Sequence, residues 1–158
     1  MIKRILILSV VALCLFVGIS LTVLYIGYHQ VREKQDQIIQ DVTRQQWLET
    51  VSEVAFFASE KNYHIAKGID AQGIEKWIWY NEEEMYEIPT NGLISSENAV
   101  EKARQLYPRT RLIRITPGLF KQRPVWVVFL KEKELSQGYV YLYMQMTDGR
   151  VIRELRLR

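Results

Sequence analysis

A single cysteine, Cys14, occurs in 158 residues, so no disulfide can form within the chain. A small oxidised scaffold is excluded, and any folded part must rest on a hydrophobic core. Histidine is almost as scarce, with His29 and His64 the only two. They form no H-x-x-x-H pair, and no C-x-x-C exists, which excludes a zinc site built on His and Cys. A Ser-His-Asp triad would have to recruit one of these two, and no G-x-S-x-G nucleophile turn is present. The 8 glycines include no phosphate-cradling loop. Hydrolysis by two carboxylates needs only Asp and Glu, but nothing marks a pair among the 18 acids. The sequence therefore offers no catalytic, cofactor-binding or metal-ligating set.

The longest absence is of charge. From Ile5 to Tyr28, 24 residues contain no Asp, Glu, Lys or Arg. As a helix this run is roughly 36 Å long, against a hydrocarbon core of about 30 Å. It reads as a transmembrane anchor, with residues 1–28 forming a cytoplasmic tip and span. Lys3 and Arg4 ahead of it favour a cytoplasmic N-terminus, which sends the rest of the chain outside; Tyr25 and Tyr28 suit the far interface. A cleaved signal peptide has a shorter apolar stretch and a small-x-small site, and neither is found here. Leu13 ahead of Cys14 is too bulky for a lipoprotein signal.

The formal charge of +3 hides a division. Residues 29–90 hold 6 basic and 12 acidic side chains, whereas residues 91–158 hold 13 and 6. The pI near 9.0 thus describes an acidic half joined to a basic half and is no nucleic-acid signal. The two halves would attract each other, or the basic half would meet an anionic surface.

Beyond the span, Val31, Ile38, Ile39 and Val42 recur at helical spacing and predict a stalk helix over 29–46. Strands are expected at 48–57, 62–69, 75–80 and 85–88. Asn91-Gly92 breaks the chain. Ser95 and Ser96 then offer an N-cap and Glu97 a favourable first-turn anion, and Ala99, Val100, Ala103 and Leu106 form a stripe that ends before Pro108. Strands follow at 111–116, 125–130, 138–146 and 151–157, with Pro117-Gly118 read as a loop and Asp148-Gly149 as a two-residue hairpin. A helix and a meander are thus followed by a helix and a meander. This is an α+β fold of two modules, 29–90 and 91–158.

Aromatic residues supply the binding candidates. Trp77 and Trp79 share one face of their strand; Tyr139, Tyr141 and Tyr143 share another, opposite Val140, Leu142 and Met144. With the aliphatic side chains in the core, the Tyr face becomes an outer surface able to take a partner, flanked by Arg111, Arg114, Arg153 and Arg156. Glu82, Glu83 and Glu84 read as a solvated hairpin tip, since their spacing matches no calcium loop.

Three segments carry a resemblance. Ile94 to Ala103 resembles the helix opening of PepSY-like domains, Val125 to Phe129 their W/Y-E-V strand, and Met146 to Ile152 their final D-x-x-T-G-x-I hairpin. Val127 and Asn98 depart from positions where those motifs often carry Glu. With a single N-terminal span and the Tyr63 to Tyr80 meander ahead, the whole chain is similar to the YpmB-like family of cell-wall elongation regulators. The resemblance implies two cystatin-like modules outside the cytoplasmic membrane. It also implies a non-enzymatic role exercised by binding an elongation-specific class B penicillin-binding protein. A PepSY- or cystatin-type protease inhibitor, or a small-ligand-binding module at the cell surface, is the alternative. Nucleic acid is not an expected partner.

Overall fold

The structure, a computed structural model, describes residues 2–58, 61–133 and 138–157, without the side chains of 2–14, 23–24 and 26–31. It divides into two compact units, Met1–Gln37 and Ile38–Arg158. The first is the N-terminal length of one helix, α1 (Ile2–Arg44). Among the described residues no helix is long and apolar enough to cross a membrane. Most side chains of the apolar run Ile5 to Tyr28 lie outside the described set.

The second unit takes the end of α1, eight strands and α2. The strands are β1 (Thr50–Ala58), β2 (Asn62–Ile69), β3 (Glu75–Tyr80) and β4 (Met85–Pro89), then β5 (Thr110–Phe120), β6 (Arg123–Glu132), β7 (Tyr139–Gln145) and β8 (Val151–Leu157), with α2 (Ser96–Leu106) between the sets. Each set is an antiparallel meander, ordered β1-β2-β3-β4 and β5-β6-β7-β8. The fold is α+β with one helix preceding each sheet.

α1 ends because Gln46 adopts a φ of 59°, after which the Trp47 N–H returns to the Val42 carbonyl at 3.0 Å. Of the predicted stripe, Ile38 and Val42 are buried with Leu48, Ala66, Ile78 and Tyr80, while Ile39 faces solvent. This cluster closes one face of the first sheet. The opposite face, with Tyr63, Ile65, Trp77 and Trp79, is buried in a core shared with the second sheet, where Trp77 meets Trp126 edge-on at 5.7 Å. The core continues through Val128, Leu130, Val140, Leu142 and Met144 to Ala99 and Ala103 of α2. Ser95 caps α2 by accepting from the Asn98 N–H at 3.2 Å. Tyr107, ahead of Pro108, leaves the helix with φ of −129° and ψ of 65°, and its N–H still donates to Ala103 O.

Two turns differ from expectation. Pro117-Gly118 lies inside β5, and the reversal occurs at Lys121 and Gln122, with φ of 49° and 60°. β5 is an edge strand and tolerates a proline. Gly118 is required because a Cβ there would stand 2.9 Å from the buried Phe57 ring. The β7–β8 connection is longer than two residues: Gln145 N–H donates to Arg150 O, Gly149 N–H returns to Gln145 O, and Asp148 Oδ1 accepts from Arg150 N–H, each at 2.9 Å.

Candidate functional site

Alternation along β7 decides which face of the second sheet is core. Val140, Leu142 and Met144 are fully buried, and Tyr139, Tyr141 and Tyr143 point to the other face, where they stay half-exposed. The register assembles the rest. One row crosses the sheet as Arg111, Lys131, Tyr139 and Leu157; the next as Arg114, Phe129, Tyr141 and Leu155; a third as Thr116, Val127, Tyr143 and Arg153.

Rings dominate this face. Phe129 stacks on Tyr141 at 4.3 Å between centroids and on Tyr139 at 5.3 Å. Phe120 meets Tyr143 at 5.4 Å. The Arg153 guanidinium lies 5.2 Å above Phe120 and 5.7 Å from Tyr143, and Lys131 Nζ lies 5.5 Å from Tyr139. Cations over ring faces gain from the ring quadrupole and hold the rings in place. At one end the face runs into a cleft of about 610 Å³ between Phe57, Phe120, Lys121, Tyr143, Arg153 and Leu155. Among the described residues, no Asp or Glu occupies these outward register positions.

Arg111, Arg114 and Arg153 thus join the three tyrosines, but Arg156 does not. It pairs across to Val140 on the core-facing side, where it bonds Glu154 and approaches Glu132 at 3.9 Å. Arg153 and Arg156 are three residues apart, an odd step that alternation sends to opposite faces. Arg111 and Arg114 are also three apart, yet they share a face because a bulge between Leu112 and Arg114 adds one residue. The Phe120, Phe129 and Lys131 side chains were missed in the sequence. Counting by twos from Val125 reaches Phe129 and Lys131.

The acidic hairpin is no solvated tip at Glu84. Tyr63 and Tyr86 hydroxyls donate to its carboxylate, the latter at 2.8 Å, and Lys61 reaches it at 3.2 Å. These partners, Tyr63 foremost, hold the Glu84 carboxyl below its ordinary pKa, while burial and that bond push Tyr63 up to about 12. Beside the hairpin lies a second cleft of about 700 Å³, lined by Asp41, Trp47, His64, Tyr80 and Glu82 among others. His64 packs edge-on to Tyr80 at 5.3 Å. Among the described residues no His, Cys, Asp and Glu cluster could hold a metal.

No family model matches the chain, and no curated protein aligns with it. Among solved structures it is similar to the YpmB protein from Bacillus subtilis. The TM-score is 0.64 at 17% identity, over 77% of this chain and 96% of that one. At that identity the likeness establishes a shared fold.

Proposed function

We propose that this chain, which has the fold of YpmB, is a membrane-anchored, extracytoplasmic and non-enzymatic regulator of cell-wall elongation. It acts by binding an elongation-specific class B penicillin-binding protein. The observation that carries this reading is the half-exposed ring-and-arginine face of β5–β8, composed as protein-binding surfaces are. The anchor is the uncharged run Ile5 to Tyr28, which would hold the sheets outside the membrane and keep the encounter two-dimensional.

Photo-crosslinking in intact cells tests it. A crosslinker at Leu155 is expected to trap a class B penicillin-binding protein, whereas one at the exposed Glu101 on α2 is not. Equal trapping from both positions, or none from Leu155, overturns the reading. Protease added outside the cell should degrade the β1–β8 region while the chain stays in the membrane fraction.

The cleft beside Tyr80 favours a second reading, a small-ligand-binding module at the cell surface, because its volume lies in the range of small-molecule sites. Loss of ligand-induced thermal stabilisation on Tyr80→Phe and Asp41→Asn would support that reading; unchanged stabilisation in both would reject it.

A further inference from the structure

We infer that the outer face of β5–β8 takes an acidic, apolar-bearing extended segment of a protein partner, an inference that rests on the face being the interaction surface. Every ion pair among the described residues joins two residues of the same half: Lys61, Lys67 and Lys76 to acids before residue 90, Arg150 and Arg156 to acids after it. Arg111, Arg114, Lys131 and Arg153 on the ring face have no carboxylate opposite them in the register. A complementary occupant must bring the acids.

Acids alone would not cover the face. Phe129, Tyr139, Tyr141 and Tyr143 are half-exposed, with Leu155 and Leu157 beside them, and desolvating them needs apolar side chains on the occupant. A bare polyanion would pair the arginines and leave the rings wet. The first sheet shows what such a face receives. Its side away from α1, carrying Tyr63, Trp77 and Trp79, is buried under polypeptide from the second module. The corresponding side of the second sheet is covered at one end, where Phe57 lies against Gly118 and Val125 and Val127 are buried, while Phe129, Tyr139 and Tyr141 stay partly exposed.

The spacing defines the segment. Arg114 lies on β5 and Arg153 on β8, three strand intervals apart and one row along, or about 16 Å. At about 3.4 Å per residue, an extended segment crossing the strands diagonally puts acids on both arginines when they stand about four to five residues apart. The residues between them lie over Phe129 and Tyr141.

Full-length protein in detergent provides the test, with a labelled Glu-Leu-Tyr-Leu-Glu peptide as probe and binding read by anisotropy. Saturable binding that weakens with salt is expected, reduced about tenfold by Arg114→Glu or Arg153→Glu and also reduced by Tyr141→Ala. The exposed arginine changes leave the core untouched, so a normal melting temperature certifies their folding. The proposal is overturned if a Gln-Leu-Tyr-Leu-Gln peptide binds as well. It is equally overturned if polyphosphate or phosphatidylglycerol vesicles bind more tightly than the peptide, or if Arg153→Glu disperses a self-associated form. Peptide binding without cellular capture of a penicillin-binding protein removes only the partner's identity. Capture that survives both arginine reversals removes this inference and leaves the proposed function standing.

Discussion

Gly68 leaves no room for a side chain. A Cβ there would stand 1.9 Å from the Thr50 carbonyl oxygen and 3.1 Å from Leu48 Cδ1. The first obstacle is backbone, fixed by the β1–β2 register just before a bulge between Val51 and Glu53. Gly68→Ala must therefore part the two strands, and we expect a loss of about 3 kcal/mol in urea unfolding. Gly73 gives the contrast. It has open space around it and a φ of 78°, so Gly73→Ala should cost only about 1 kcal/mol through left-handed strain. A loss at Gly68 no larger than that at Gly73 would show that the two strands part there at little cost.

Among the elements, α2 depends on its ends. Its 11 residues bury only Ala99 and Ala103 completely, too short a helix to persist on propensity. Ser95→Ala removes the capping acceptor and should cost about 1 kcal/mol, read by the same unfolding experiment. The hub at Glu84 links β2 to the β3–β4 hairpin and makes that region sensitive to pH. The Glu84 pKa is lowered in the fold, so its contribution is present above the unfolded value near 4.3 and lost as pH falls through the folded value. The Tyr63 pKa is raised to about 12, so its contribution is full below about 10 and lost as pH climbs through the folded value. Melting temperature against pH should show both limbs. Glu84→Gln should shrink the acid one; parallel acid limbs in the two proteins would assign it to other carboxylates, such as Asp70, whose pKa the Ile74 N–H foremost holds down.

At the scale of the molecule, the two meanders share one core between Ile38 and Arg158. Trp126 is its join: the ring meets Trp77, and its Nε1–H donates to Ile94 O at 3.0 Å. Trp126→Ala should cost about 3–5 kcal/mol and lower a single unfolding transition in which both sheets melt together. Two separated transitions would mean that the modules are independently stable. The shared core also makes a chain cut near Asn91 a poor probe of function, since it would bare Trp77 and Trp79.

Local pattern was enough for most elements. β2, β3 and β8 fall where alternation and turn residues put them, and α2 starts at its predicted cap, because capping and period-two burial act over a few residues. Pro117-Gly118 misled because a proline on an edge strand looks like a loop until its neighbours are known. The candidate surface was legible as a tyrosine stripe with arginines nearby, while Arg156 was misplaced by an odd step and Arg114 was rescued by a bulge. By itself the sequence determined the uncharged N-terminal run, the acidic and basic halves and the order of helix and meander strands along the chain. Alternation with aliphatic side chains turned Tyr139, Tyr141 and Tyr143 outward, but it left the covering of Trp77 and Trp79 open. Only the tertiary structure decided that the Trp77/Trp79 stripe is buried beneath the second module, because covering a sheet face depends on residues some fifty positions away, which no local pattern records.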